Sequence, residues 1–228
     1  MNEVDVEVFI KFGKETHMKS LYEKGEVYMN TIDFYKNHEN KEIGDEYENI
    51  QSIYQIQKLS LIDTIDSKDE IELPLINGHV VQHSEVNGNL YCLFSIKKCD
   101  FKQIDGKNIF ELNLVEFKEF GDSLCIIYKP KTFIDLIEKK LNDDGRICNN
   151  KLVEYYNQDT YNGLLDLFCK RKKYSPQKEA RILVNSEMNK PIKFEIGSLE
   201  KIARFKTGLD DKIRIESTET HLIFSRNE

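Results

Sequence analysis

Residues 170–184 read Lys-Arg-Lys-Lys-Tyr-Ser-Pro-Gln-Lys-Glu-Ala-Arg-Ile-Leu-Val, a basic stretch that passes through a proline turn into an apolar run. As a strand, Glu179 to Val184 places Gln177, Glu179 and Arg181 on one face and Ala180, Ile182 and Val184 on the other. An amide, a carboxylate and a guanidinium projecting side by side from a rigid element is how binding and catalytic groups are often presented. Glu179 would stabilise or orient a substrate, Gln177 would supply an amide contact and Tyr174 a ring face. The bland alternative is a solvated sheet edge, where such a Glu–Arg pair contributes about 0–1 kcal/mol.

Two other groupings carry polar side chains that could act together. Gly44-Asp45-Glu46-Tyr47-Glu48, with Glu39 and Glu42 upstream, gathers carboxylates that could hold a divalent cation. The D-x-D-x-D-G spacing of a calcium loop is missing, however, and a flexible, solvated acidic loop is the simpler account. A two-metal nuclease would need carboxylates from elsewhere, and nothing in the sequence assigns Glu70 or Glu72 to that role. Tyr28-Met29-Asn30-Thr31 ends a short strand in polar groups, and Lys11 ends the strand before it. Two strand ends opening on one cleft make a common site geometry; Tyr28 in the core with Asn30 in a turn is the plainer arrangement.

His17, His38, His79, His83 and His221 show no metal-ligand pattern, and no metal is expected. The chain contains no G-x-S-x-G, Walker loop or G-x-G-x-x-G, which removes most support for hydrolase, P-loop and Rossmann readings.

The elements that must position these groups follow from the hydrophobic pattern. Val4 to Ile10 reads as a strand, Met18, Leu21 and Tyr22 as a helix with Thr16 as its cap, and Val27 to Met29 as a second strand. Ile32, Phe34 and Tyr35 mark a turn or short helix, and the polar run Lys36 to Glu48 a loop. Strands are predicted at Ile50 to Ile62, Glu70 to Ile76, Val80 to Gln82, Leu90 to Ile96, Ile109 to Leu114 and Ser123 to Tyr128. Asn77-Gly78, Asn87-Gly88 and Asp105-Gly106 are the turns between them. Lys131 to Leu141 is the strongest helix, with Thr132 and Asp135 as a capping pair and Gly145 closing it. Tyr161, Leu164, Leu165 and Phe168 predict a second amphipathic helix with Lys170 to Lys173 at its C-terminal end. Strands at Pro191 to Ile196, Lys212 to Glu216 and His221 to Phe224, and a short helix at Ser198 to Ile202, complete the pattern. Without an internal repeat or composition break, residues 1–228 make one α+β domain with a mainly antiparallel sheet.

Composition bounds the function classes. Thirty-three Lys and Arg against forty Asp and Glu give a formal charge of −7, which argues against a general nucleic-acid coat while leaving room for a local basic site. Lys outnumbers Arg 27 to 6 and alanine occurs only at Ala180 and Ala203, the bias of a low-GC bacterial or phage genome. No run approaches the roughly 20 apolar residues of a membrane span and the acidic start lacks the parts of a secretory signal, so a cytoplasmic protein with no membrane partner is expected. Cys92, Cys99, Cys125, Cys148 and Cys169 are odd in number and free of C-x-x-C pairs, which predicts buried, reduced thiols.

Gly25-x-x-Tyr28-x-Asn30, Asp45-x-x-Glu48 and Tyr174-x-x-x-x-Glu179-x-Arg181, with Phe9 to Phe12 and Phe34-Tyr35, resemble an uncharacterised bacterial and phage family of domains of unknown function. The motifs cover most of the chain in order, each of them short. A broader likeness is to the ADP-ribosyltransferase fold, in which a first strand and helix precede a split antiparallel sheet and a late strand carries a catalytic glutamate. Gln177-Lys178-Glu179 is similar to the Q-x-E form of that motif, and the resemblance implies NAD as substrate, Glu179 on the nicotinamide ribose and Gln177 on the acceptor. Lys11 stands where that family has Arg or His. Together these features predict Glu179 and Gln177 as catalytic and Lys11, Tyr28, Asn30, Tyr174 and Arg181 as substrate-binding. The function expected is an NAD-consuming or ADP-ribosyl-transferring enzyme of a bacterial or phage conflict system. The alternatives are a non-catalytic module of phage defence or counter-defence that binds a nucleotide or a protein, and a metal-dependent nuclease.

Overall fold

The computed structural model describes residues 6–62, 70–73, 78–218 and 222–226. Val4, Asp5, Leu75, Ile76, Asn77 and His221 of the predicted elements lie outside them. The chain is mixed, with mostly antiparallel sheets and a few short helices.

Its main sheet has eight strands: β1 (Val6–Gly13), β2 (Glu26–Thr31), β3 (Gly88–Lys97), β4 (Ser123–Ile127), β5 (Cys148–Leu152), β6 (Glu179–Asn185), β7 (Ile192–Glu195) and β8 (Ala203–Thr207). The path runs β5-β6-β3-β1-β4-β8, with β2 on β3 and β7 on β2. β3, ten residues long and almost wholly buried, is the spine. β6 occupies one edge of it from Gly88 to Phe94. The other edge is shared: β1 pairs through Ile10↔Phe94 and β2 through Asn30↔Leu90. Both strands compete for the edge at Tyr91, Cys92 and Leu93, and neither pairs there, so the sheet splits.

One face of the sheet is closed by α1 (Glu15–Lys24) and α3 (Pro130–Asp143). Phe133, Ile134, Ile137 and Leu141 of α3 lie on one stripe and pack with Phe9, Met29, Tyr91, Ile182 and Val184. Pro130 starts α3 at a position whose N–H would have no intrahelical partner. Thr132 and Asp135 therefore fall inside the helix rather than at its cap. At α1 the cap position is Lys14, two residues before the predicted Thr16, and Asp122 accepts from the Glu15 N–H at 2.7 Å in place of a capping side chain.

The opposite face is covered at its two ends only. A four-stranded sheet of Lys102–Ile104, Lys107–Asn113, Lys212–Ser217 and Leu222–Arg226 packs on Val8, Ile10, Phe94 and Ile126. At the other end Ile32 of α2 (Ile32–Asn37) joins Leu90, Leu167, Phe168 and Leu183. Thr31 caps α2, accepting from the Phe34 N–H at 3.1 Å.

Several predicted elements are corrected. The stretch around Tyr161 to Phe168 forms no helix: Gly163–Leu164 pairs with Ser52 and Ile53, turns follow, and Cys169–Arg171 is a strand parallel to Glu154–Tyr156. Asn162, Gly163 and Asp166 favour turns, and the apolar spacing fits a strand pair as well as a helix turn. Lys170 and Arg171 are accordingly buried, not at a helix end. Ser198 to Ile202 is a turn. The predicted strand from Ile50 to Ile62 breaks into Ile50–Gln55 and Leu59–Ile62, while β5 and β8 carried too little alternation to be predicted. Of the cysteines, all free, only Cys125 is buried and Cys99 is exposed. Among the described residues, no helix is long and apolar enough to cross a membrane.

One turn closes α1 onto β7. Gly25 has φ of +66°, and a Cβ there would sit 2.1 Å from the Gly197 carbonyl oxygen. Gly25→Ala is expected to destabilise the protein by more than about 1 kcal/mol, since strain and a backbone clash act together. Thermal unfolding checks this: the midpoint should fall by at least roughly 2–4 °C for a chain of this size.

Candidate functional site

The split opens a cleft of about 630 Å³ over the uncovered middle of the sheet. Its position follows from the sequence of β6. Ala180, Ile182 and Val184 bury towards α3, which turns Glu179 and Arg181 to the cleft face beside Cys92. Immediately before the strand, Lys178 adopts a left-handed conformation with φ of +40°, and its carbonyl accepts from Ser95 N–H at 2.8 Å and Ser95 Oγ at 2.6 Å. Those bonds set where the strand begins and hence which way Glu179 faces.

Glu179 and Arg181 are not on a solvated edge; they are 6% and 1% exposed on a central strand. Arg181 is the hub. Its Nε donates to Glu179 Oε1 at 2.8 Å, Nη1 to Glu48 Oε1 at 2.6 Å, and Nη2 to Glu48 Oε2 at 2.9 Å. Nη1 also reaches the Leu167 carbonyl. Lys170 Nζ donates to Glu179 Oε2 at 2.9 Å and to Gln177 Oε1 at 2.7 Å, and lies 4.6 Å from the Tyr174 ring centroid. The acidic loop is therefore not a flexible solvated one. Asp45 and Glu48 are buried, Asp45 against Arg171 at 2.5 Å and Glu48 against Arg181. Arginines engage both buried carboxylates of this loop, Glu48 through a two-bond fork and Asp45 through a single bond.

Charge states follow from the surroundings. Burial alone would raise the Glu179 carboxyl, but Arg181 and Lys170, with hydrogen bonds from Arg181 and the Cys92 thiol, hold it well below the usual carboxylate range. Burial pushes Glu48 upward, despite its fork with Arg181 and the nearby Lys170 charge. Burial, reinforced by Glu179, pushes the Cys92 thiol far up, so it stays protonated as a donor. Burial also lowers the Lys11 ammonium.

Of the seven predicted site residues, Lys11, Tyr28, Asn30, Gln177, Glu179 and Arg181 line this one cleft. Lys11 closes the apex of the split, donating to the Cys92 carbonyl at 2.7 Å and lying 4.5 Å from the Tyr91 ring centroid. Tyr28 is half exposed rather than in the core, and Asn30 stays in β2 rather than turning. The structure does not bring Tyr174 to the cleft lining: its ring is buried and its hydroxyl donates to the Gly44 carbonyl at 3.1 Å.

Sequence reasoning missed Lys170, Glu48, Cys92 and the partly exposed Phe34. For Glu48 a signal existed, because Asp45-x-x-Glu48 and Glu179-x-Arg181 are two of the motifs of the resemblance and Arg181 joins them. The aromatic end of the cleft, where Phe12 stacks on Phe117 at 4.5 Å between ring centroids, was also unforeseen. Comparison with protein-family models, curated proteins and solved structures gave no match.

Stability should record the Glu179 charge. Its folded carboxyl lies below the unfolded value of about 4.3, so its contribution is complete above that value and is lost as pH falls through the folded one. Glu179→Gln should cost about 3–5 kcal/mol at pH 7, because two buried cations lose a charge partner. Urea unfolding from pH 7 to pH 2.5 should show the gap to wild type narrowing below about pH 4; a gap constant with pH contradicts the assignment.

Proposed function

We propose that the protein is an NAD-consuming or ADP-ribosyl-transferring enzyme of a bacterial or phage conflict system, with Glu179 as its principal catalytic group. The observation that carries this reading is an ionised glutamate at the floor of a cleft opened by a split antiparallel sheet, with Lys11, Tyr28 and Asn30 from the two diverging strands on its walls.

The chemistry fits the charge. Cleaving the bond between ribose C1′ and the nicotinamide nitrogen leaves both bonding electrons on the departing neutral nicotinamide and positive charge on the ribose. A fixed carboxylate beside C1′ is worth more to that oxocarbenium-like transition state than to the ground state. An acceptor nucleophile or water then forms the new bond to C1′ and releases a proton. Glu179 is already ionised and needs no proton transfer to act. Lys11 and Lys14 line the cleft without a carboxylate partner among the described residues and suit the diphosphate. Tyr28 and Phe34, 49% and 39% exposed, offer ring faces to the flat bases.

A second reading, a non-catalytic nucleotide- or protein-binding module of phage defence or counter-defence, is favoured by one observation. Both Glu179 oxygens already accept from protein donors, Arg181 and Lys170. Nothing favours the metal-dependent nuclease, since Asp45 and Glu48 are engaged by Arg171 and Arg181.

Nicotinamide release from NAD, followed chromatographically with and without protein acceptors, separates the two. Wild type should release nicotinamide, and Glu179→Gln should be slower by about 100-fold or more, with its circular dichroism retained below its own unfolding transition. A wild-type protein that binds NAD tightly and leaves it intact would be the binding module; equal rates in the two proteins would remove Glu179 from the chemistry.

A further inference from the structure

We infer that Lys170 is a positioning residue that couples the loop closing the cleft to the alignment of Glu179. Lys170 is 5% exposed and its ammonium has two polar partners with different attachments. Glu179 Oε2, at 2.9 Å, belongs to the sheet. Gln177 Oε1, at 2.7 Å, belongs to the turn before it, and Gln177 Nε2 donates in turn to the Glu42 carbonyl at 2.8 Å. Glu42 and the adjoining Ile43 line the cleft from the 38–49 loop. The path from loop to carboxylate is therefore Glu42 carbonyl, Gln177 amide, Lys170 ammonium, Glu179.

This changes the role of Gln177. Both polar ends of its amide are bonded within the protein, its oxygen by Lys170 and one N–H by the loop backbone, so it acts on the loop rather than on an incoming acceptor. Tyr174 belongs to the same unit: its ring lies beside the Lys170 ammonium while its hydroxyl holds the Gly44 carbonyl two residues beyond Glu42. A ligand that draws Glu179 towards itself must draw Lys170 with it or exchange places with it, and either movement is felt at Glu42. The position of the loop and the alignment of the carboxylate are thus coupled.

The coupling stands on these contacts alone; its consequence for turnover rests on the enzyme reading above. The groups facing Glu179 are Arg181 on its own strand, Lys170, Cys92 of β3, Lys11 of β1, Tyr155, whose hydroxyl accepts from the Glu179 N–H, Tyr35 of α2, and Glu48 of the loop. Among the described residues only Arg181 and Lys170 are cations bonded directly to its carboxylate, so removing Lys170 raises the Glu179 carboxyl towards the ordinary range.

Amide hydrogen exchange at Ile43, Gly44 and Asp45 tests the coupling in Lys170→Met, Lys170→Arg and Gln177→Ala. These amides are bonded within the loop and to Tyr35. Exchange should quicken by about tenfold in Lys170→Met and Gln177→Ala, from loss of one hydrogen bond on the path to the loop, and stay near wild type in Lys170→Arg. In Lys170→Met the Glu179 carboxyl, followed by its carbon chemical shift, should titrate at higher pH than in wild type, a shift that a packing role alone would not produce. Nicotinamide release by this variant should gain a fall on the acid side that Lys170→Arg lacks. If Lys170→Met does not fold, Gln177→Ala decides the loop half by itself. Unchanged exchange in Gln177→Ala, or unchanged loop exchange in a folded Lys170→Met, overturns the coupling. Quickened exchange in a protein that never consumes NAD upholds the coupling and removes the enzyme reading.

Discussion

A guanidinium 1% exposed to water determines much of this structure. Arg181 sits on a strand that must bury on both faces, and removing its charge from water costs several kcal/mol unless partners replace the lost hydration. Glu48 and Glu179 each supply both oxygens, the second of Glu179 at 3.5 Å, and Leu167 a carbonyl. These partners come from a loop more than 130 residues earlier, from the same strand and from the segment that precedes it. Satisfying one side chain thus ties the 38–49 loop and the Leu167 segment to β6. Apolar side chains replacing Arg181, Glu48 and Glu179 together could hold the sheet as well or better, but without a charged floor under the cleft. Replacing Arg181 alone would be strongly destabilising, because the two buried carboxylates would then have Lys170 alone.

The split in the sheet has an equally simple cause. β3 offers one edge to two strands, and pairing of β1 beyond Phe94 would need the backbone groups that pairing of β2 beyond Leu90 would also need. Neither strand prevails. The Cys92 carbonyl left between them is buried, and a buried unpaired carbonyl is costly; Lys11 answers it by reaching into the gap. That gives Lys11 a structural duty at the apex of the cleft and leaves its remaining N–H groups for whatever enters. Its ammonium is buried beside the Tyr91 ring with no carboxylate in contact among the described residues, and an anion in the cleft would supply the counter-charge it lacks.

How much of this was legible in the sequence depended on the range of the interaction. β6 was readable because Ala180, Ile182 and Val184 alternate with polar residues, and the alternation also indicated that Gln177, Glu179 and Arg181 belong together. α3 was readable from its apolar stripe. The burial of Lys170 and Arg171 was not, since basic residues are mostly exposed and nothing local marks an exception. Arg171 is buried because Asp45 and the Tyr47 ring meet it from 124 to 126 positions away. The acidic loop misled for the same reason: Asp45 and Glu48 look solvated until their arginines are in place. Spacing within a strand reports which side chains share a face, and only the fold reports what faces them.

On the enzyme reading Glu179 would have two duties that conflict. As the counter-charge of Lys170 and Arg181 it must stay bonded to both, and as a group acting on a ligand it must present an oxygen to the cleft. Its four lone-pair directions permit some of each, but every bond a ligand takes weakens one that holds the floor. The conflict is smallest if the ligand itself carries the charge that Lys170 would lose. A cation forming at ribose C1′ does so at the transition state and not before, so the exchange of Lys170 for substrate would be favoured where catalysis needs it. In a module that only binds, the same arrangement would be a cost with no return, because a neutral sugar could not replace the ammonium. The pairing that makes Glu179 look purely structural is therefore also what would make its carboxylate selective for positive charge.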